Sequence, residues 1–137
     1  MERIILPRQL VNRILSQAQS SPDAEICGLI AARNRRPQRC IQVPNVSDHP
    51  QQLFAMDHQG QIDALRKIRE QGEALFGIYH SHPHSPAEPS DTDLQQVGYP
   101  DALYVIVSLN TRGVLEMRGF RLRENKEVQV QLEIQAS

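Results

Sequence analysis

The chain contains few of the residues that mark several common protein classes. Among its 137 residues there is no Trp, only 4% are aromatic, and two are cysteines. Cys27 and Cys40 do not form a C-x-x-C pair, so the sequence predicts neither a cysteine-ligated zinc site nor a thioredoxin-like redox motif. Both cysteines lie in apolar runs, and we expect them to be buried free thiols.

Charge and hydropathy do not point to a nucleic acid or a membrane. The formal net charge is −1, and the densest basic run, Arg33 to Arg39, is short; we interpret it as a solvated hairpin turn. No apolar run approaches the roughly 20 residues that a transmembrane helix needs, and the first residues lack an apolar signal segment. We therefore expect a cytoplasmic monomer or homodimer without nucleic-acid or membrane partners.

The remaining pattern predicts one α+β domain over residues 1–137. Hydrophobic residues make up 39% of the chain and charged residues 23%, as in ordinary globular proteins. Helical periodicity predicts two main helices, at about 7–20 and 58–72, and Ser90 begins a short third one. Tight turns near Asn110–Gly113 and Asn125 predict a terminal meander in a mostly antiparallel or mixed sheet packed against the helices. The predicted strands cover residues 3–5, 26–32, 39–43, 53–56, 75–81, 103–109, 114–122 and 128–134.

Two histidines close one of these apolar strands, in the sequence GIYHSHP. Side chains at i and i+2 of a strand point to the same face, so His80 and His82 can converge on one ion. Asp93 lies on the first turn of the following helix, and the Pro-rich loop between them can fold it back. Two imidazoles and one carboxylate form the ligand set of a catalytic zinc site, whose fourth position stays open for water.

Each of these residues also has a simpler interpretation. An H-x-H pair at a strand end can consist of polar edge residues, and Ser90-x-x-Asp93 alone is typical of a capping box at a helix N-terminus. His84 follows Pro83, which is expected to bend the chain, so we treat His84 as a loop residue that can contact substrate and not as a ligand. Taken singly, the spacings leave both interpretations open.

Hydrolysis also requires a base that takes and relays a proton. Glu25 is the candidate, because it stands directly before an apolar strand, where a charged side chain gains nothing from burial; the alternative is a solvated glutamate at a strand start. Ser90 can donate its hydroxyl proton to a developing oxyanion. Capping does not prevent this, since a hydroxyl that accepts a backbone N–H keeps its own proton free.

Together these residues resemble the JAMM motif of the MPN-domain metallopeptidases. That motif consists of an upstream Glu, H-[ST]-H-P, and S-x-x-D, with ten residues between the second His and the Asp. Here residues 83–92 fill that interval. The order of helices and strands is also similar to the family over nearly the whole chain. The resemblance implies a cytidine-deaminase-like MPN/JAMM fold, a mixed β-sheet flanked by two main helices and a short one.

The resemblance also implies the roles of the residues and the substrate. It implies Zn2+ bound by His80, His82 and Asp93, with Glu25 as general acid/base and Ser90 stabilising the oxyanion. The short chain is similar to the stand-alone prokaryotic members, some of which release an amino acid, typically cysteine, from a ubiquitin-like sulfur-carrier protein. The partner implied is therefore a carrier with a C-terminal Gly-Gly tail, which can thread a narrow groove as an extended strand.

Two functions of other classes compete with a zinc peptidase or isopeptidase. A non-catalytic, zinc-stabilised MPN scaffold would bind a protein partner without turnover. Glu25 and Ser90 argue against it, because a structural zinc site needs neither and closes its fourth position with protein. A zinc deaminase would require a downstream P-C-x-x-C, which the sequence lacks.

Overall fold

Strands and helices succeed one another along the residues that the computed structural model describes, 1–110, 115–123 and 126–135. A strand leads into the first helix, a β-hairpin follows, and a second helix, a strand and a short helix precede the last three strands. The elements are β1 (Arg3–Pro7), α1 (Arg8–Gln19), β2 (Cys27–Arg33), β3 (Arg36–Val43), α2 (His58–Glu70), β4 (Ala74–His82), α3 (Asp91–Gln95), β5 (Leu103–Ser108), β6 (Glu116–Arg123) and β7 (Lys126–Gln135).

The strands form one mixed sheet in the order β1-β7-β6-β5-β4-β2-β3. Strands β5, β6 and β7 are an antiparallel meander, as predicted, while β1 joins β7 and β4 joins β5 in parallel. The prediction of an α+β fold with a mixed sheet and two main helices is confirmed. Strand β4, which carries the two histidines, is bonded to β2 on one edge and to β5 on the other.

Helices cover both faces of the sheet. Helix α1 buries Leu10, Val11 and Ile14 against one face, and α2 buries Ala64 and Ile68 against the other. Because the central strands are buried on both faces, β2 and β5 are continuous apolar runs and do not alternate with polar residues. Within the described residues, no helix is long and apolar enough to cross a membrane.

Two predicted segments differ from the structure. The predicted strand at residues 53–56 is wrong: only Met56 forms an isolated bridge, with Asn45, because the Asn45 side chain takes hydrogen bonds that a strand ladder would use. The hairpin turn is shorter than expected. It consists of Asn34 and Arg35, whose φ angles of 53° and 66° are both positive, as two-residue hairpin turns require.

The turns predicted near Asn110–Gly113 and Asn125, and the predicted strand start at Val114, fall largely on residues 111–114 and 124–125, which lie outside the described residues. The two cysteines are buried free thiols, as expected.

Candidate active site

The two histidines lie at the carboxyl end of β4 and are enclosed by its neighbours. His80 pairs with Cys27 of β2 and with Ile106 of β5, and His82 pairs with Ser108. Their exposed fractions are 1% and 3%. The interpretation of this pair as polar edge residues is therefore wrong.

Three donor atoms converge at this strand end. The two Nε2 atoms of His80 and His82 lie 3.1 Å apart, and Asp93 Oδ2 lies 3.1 Å from the first and 3.3 Å from the second. Ligand atoms at about 2.0 Å from a tetrahedral zinc ion are separated by roughly 3.3 Å. The three atoms thus span one face of such a tetrahedron. The 3.1 Å separation of the two Nε2 atoms fits either a single shared proton or a metal ion held between them.

Asp93 reaches the histidines from the first turn of α3. Its Oδ2 accepts a hydrogen bond from the Ser90 backbone N–H at 2.9 Å, while Ser90 Oγ accepts from the Asp93 N–H at 3.0 Å. The capping-box interpretation is therefore confirmed, and it coexists with the contact to the histidines. Burial opposes ionisation of Asp93, but His80, His82 and the Ser90 N–H outweigh it and lower the pKa of this carboxyl. The cap therefore also orients a buried anion.

The Pro-rich loop fixes the tautomer of His82. Its Nδ1 lies 2.8 Å from the Pro86 carbonyl oxygen, which can only accept a hydrogen bond. The ring proton therefore resides on Nδ1, and the Nε2 lone pair faces the cluster, the arrangement that metal-ligating histidines show. Burial lowers the pKa of His82, yet its contacts with Asp93 and Pro86 raise it further than burial lowers it.

A different contact holds His80. Its ring stacks on Phe54 with centroids 4.4 Å apart and planes inclined by 27°. Burial lowers the pKa of His80 more than the neighbouring Asp93 raises it. The imidazole is therefore kept neutral, the form in which it can ligate a metal.

Glu25 faces the same cluster from the residues preceding β2. One carboxylate oxygen of Glu25 and one ring nitrogen from each of His80 and His82 lie within 4.8 Å of one another. Glu25 is only 4% exposed, so the interpretation as a solvated glutamate is wrong, and its Oε1 has no hydrogen-bond partner among the described residues. Burial raises its pKa to about 7, against the opposing effect of His82. Such a group can accept and return a proton near neutral pH.

Two carboxylates therefore flank the two imidazoles. Asp93 Oδ2 is within 3.3 Å of both Nε2 atoms, and a Glu25 carboxylate oxygen lies within 4.8 Å of one ring nitrogen of each histidine. Either carboxylate can complete a set of three ligand atoms with the histidines.

Ser81, between the histidines, has a structural role that the sequence analysis did not assign. Its Oγ accepts a hydrogen bond from the Ile26 N–H at 2.9 Å, and its own N–H donates to the Ile26 carbonyl at 3.0 Å. Because Ile26 follows Glu25, these two bonds fix the backbone that carries the carboxylate. In the sequence, the position of Ser81 between the two histidines was the only sign of this role.

A cavity of about 180 Å³ adjoins the cluster, lined among others by Phe54, Met56, Gln61, His80, Asp93 and Tyr99. The Gln61 amide donates to the Tyr99 hydroxyl at 2.6 Å on its wall. A larger groove of about 940 Å³ lies between β1, β7 and the β2–β3 hairpin and contains none of the predicted site residues.

The structure does not bring the other histidines to the cluster. His84, His49 and His58 are exposed. The sequence analysis did not identify Phe54 as part of the site. The only sign of it was an aromatic residue in a polar loop, in a chain with just three Phe and three Tyr.

Comparison with known proteins gives a consistent set of matches. Residues 7–123 match the family described as prokaryotic homologs of the JAB domain. The chain is 31% identical over 121 residues to the CysO-cysteine peptidase of Mycobacterium tuberculosis, covering 87% of this chain and 82% of that protein. It is 32% identical over 129 residues to the desampylase of Haloferax volcanii, covering 89% and 93%. The solution structure of protein DSY2949 from Desulfitobacterium hafniense has a TM-score of 0.86 at 25% identity, covering 98% and 94%.

Proposed function

The chain belongs to the family of prokaryotic homologues of the JAB domain, and from this we propose that it is a JAMM-type zinc metallopeptidase that hydrolyses a peptide or isopeptide bond. The observation that carries the proposal is the convergence of two imidazole nitrogens and the Asp93 carboxylate within 3.3 Å, beside the buried Glu25. Relatives named as a peptidase and a desampylase support a hydrolase.

In this proposal each polar residue of the cluster has one role. His80, His82 and Asp93 hold the zinc ion, which when bound supplies Lewis-acid chemistry by lowering the pKa of water and polarising a carbonyl. Glu25 accepts a proton at its carboxylate from the attacking water and returns it to the leaving amine. Ser90 keeps a free hydroxyl proton while it caps α3, and it donates that proton to the developing oxyanion.

We further propose that the substrate is the C-terminal Gly-Gly tail of a ubiquitin-like sulfur-carrier protein, with release of an amino acid such as cysteine. The name of the M. tuberculosis relative, CysO-cysteine peptidase, supports this class. A cavity of about 180 Å³ lies beside His80 and Asp93, and in this proposal it receives the tail of the carrier. The proposal treats residues 1–137 as a single domain and, since both cysteines are free thiols, places it in the reducing cytoplasm.

The proposal is tested by zinc content and by cleavage of a carrier–cysteine adduct. We expect the wild-type protein to bind one zinc ion and to cleave the adduct. We expect Glu25→Gln to retain zinc and to lose roughly 10²- to 10⁴-fold in kcat, the usual contribution of a general base. Glu70→Gln, at an exposed glutamate that ends α2, is the matched control and should behave as wild type.

Two results would contradict the proposal. If the wild-type protein binds no zinc under non-chelating conditions, the assignment of a zinc site is wrong. If Glu25→Gln keeps full activity, the assignment of Glu25 as the general base is wrong. If zinc binds and raises the melting temperature but no Gly-Gly conjugate is cut, the chain is instead a non-catalytic scaffold for a protein partner.

A further inference from the structure

Asn45 makes four side-chain hydrogen bonds in the loop between β3 and α2. Its Nδ2 donates to the carbonyl oxygens of Glu25 and Leu53, each at 3.0 Å. Its Oδ1 accepts from the backbone N–H of Ser47 at 3.0 Å and of Ala55 at 2.9 Å. Two carbonyls on one side and two N–H groups on the other fix the orientation of the amide, and they use both of its donors and both acceptor positions.

The partners of this amide adjoin two groups of the proposed site. One is Glu25 itself, whose backbone N–H is also held, by the Pro50 carbonyl at 2.7 Å. The others, Leu53 and Ala55, flank Phe54, whose ring stacks on His80. One side chain therefore joins the backbone of the proposed base to the segment that packs against a proposed ligand.

No other type of side chain can make this set of bonds at this length. Residues 46–55 lack a strand ladder, so their backbone groups depend on side chains and loop contacts for partners. Aspartate has the size of asparagine but cannot donate to carbonyl oxygens, and serine has a single proton to donate. A carbonyl deprived of its donor is destabilised where water cannot replace the hydrogen bond, so the loop is expected to rearrange when the amide is lost.

We propose that Asn45 is a positioning residue, which holds Glu25 and Phe54 in place around His80. It contacts none of the reacting groups and acts only through these two residues. The proposal rests on the proposed function for its kinetic consequences, but its geometric part concerns only this chain and can be measured separately.

The test compares Asn45→Asp with Tyr79→Phe. Asn45→Asp keeps the two acceptor bonds and loses both donor bonds. Tyr79→Phe removes one hydrogen bond, from the Tyr79 hydroxyl to Gln17 Oε1 at 2.6 Å, on the opposite face of β4, and controls for general loss of stability. Each variant is assayed for kcat and KM on the carrier–cysteine adduct, for zinc content, for melting temperature, and for the NMR resonances of the His80 ring protons.

We expect Asn45→Asp to lower kcat roughly 10- to 100-fold, the effect usual for residues that orient an active-site group, with KM and zinc content little changed. The His80 ring protons should lose part of the ring-current shift caused by the stacked Phe54. Tyr79→Phe should keep kcat within about twofold and leave those resonances in place, because its effect is of the size of one ordinary hydrogen bond and lies away from the cluster. Asn45→Ser can donate to one carbonyl, so its loss of kcat should be intermediate. It replaces Asn45→Asp in the test if that variant does not fold.

The outcomes are separable. Unchanged kcat and unchanged His80 resonances in Asn45→Asp would overturn the inference, as would a loss of kcat that Tyr79→Phe reproduces at an equal drop in melting temperature. If the wild-type protein cleaves no conjugate, the proposed function fails, while the His80 resonances still decide whether Asn45 positions Phe54.

Discussion

The two faces of strand β4 use equally buried polar residues in opposite ways. On one face, Tyr79 donates to Gln17 and Ser81 accepts from the backbone of Ile26, so each hydroxyl has a partner. On the other face, His80 and His82 meet two carboxylates, and two of their buried atoms, Glu25 Oε1 and His80 Nδ1, have no partner among the described residues. The four residues of the strand are at most 3% exposed.

This contrast separates stability from chemistry along one strand. A buried polar group that is hydrogen-bonded costs little, whereas one left unpaired costs free energy that the rest of the fold must offset. The face with Tyr79 and Ser81 is therefore expected to contribute stability, and the face with the histidines to reduce it until a cation is bound. Substitutions on each face should accordingly change different measured quantities.

The largest effect is expected from Asp93→Asn on the histidine face. The substitution removes the anion that lies within 3.3 Å of both Nε2 atoms and keeps the size of the side chain. We expect zinc affinity, measured by competition with a chelator, to fall roughly 100- to 1000-fold. This loss corresponds to about a quarter of a typical zinc-binding free energy. Asp91→Asn, at an exposed residue of the same helical turn, should bind zinc as wild type does; equal affinities of the two variants would contradict the ligand assignment.

Gly28→Ala is expected to have the largest effect on the other face. A Cβ at Gly28 would lie 2.4 Å from the Tyr79 hydroxyl and 2.5 Å from the Ile41 carbonyl oxygen, so the strands must shift. We expect the free energy of unfolding to fall by about 3 kcal/mol in urea, the upper range for overpacking, while the zinc affinity of the folded protein stays within a few-fold. Gly98→Ala, where a Cβ has no neighbour within 4 Å, is the control. A loss of zinc affinity without a loss of stability would contradict the separation of the faces.

Glu25→Gln should stabilise the zinc-free protein while it lowers kcat. Burial raises the pKa of Glu25 from 4.5 to about 7, so ionising it in the folded state costs free energy that the unfolded chain does not lose. The neutral amide avoids this cost, and we expect a gain of about 2 kcal/mol, less than the full shift implies because the amide oxygen is also unpaired.

The pH dependence gives the sign of this effect. Wild type and Glu25→Gln should be closest in stability below pH 4.5, where Glu25 is neutral in both states. The wild-type protein should then lose stability relative to the variant as the pH rises to about 7, with no further change above. Urea unfolding in the presence of a chelator measures the difference. A difference independent of pH would contradict the burial of an ionisable Glu25, and added zinc should reduce it.

Local pattern was sufficient to predict most of the framework and the approach of His80, His82 and Asp93 to one another. Apolar runs located the strands, and the period of two in a strand was enough to place His80 and His82 on one face. The same pattern failed at residues 53–56, because the partners of Leu53 and Ala55 come from the Asn45 side chain and not from a neighbouring strand. Such contacts between distant residues leave no period in the sequence.

The local sequence pattern also could not predict that Glu25, the proposed base, is buried. A glutamate before an apolar strand is compatible with solvent or with the interior. The choice depends on Ser81, which bonds the following residue, Ile26, from 55 positions further along the chain. The stacking of Phe54 on His80 likewise joins a loop to a strand that the sequence separates by a whole helix. These features follow from the assembled sheet and are visible only there.

The smallest effect is expected from Tyr79→Phe, and it tests whether Gly28 and Tyr79 act as one unit. Alone, the substitution removes the bond to Gln17 and should cost about 1 kcal/mol without changing kcat. Combined with Gly28→Ala it also removes the hydroxyl at 2.4 Å from the new Cβ, so the double variant should be more stable than the sum of the single losses predicts, by about 0.5–1 kcal/mol. The relief is incomplete because the Ile41 carbonyl oxygen and the ring carbon Cζ of residue 79 both remain 2.5 Å from the new Cβ. If the losses in free energy of unfolding measured in urea are strictly additive, the strands separate when Gly28 is replaced. The packing of this face then does not depend on the contact between Gly28 and Tyr79.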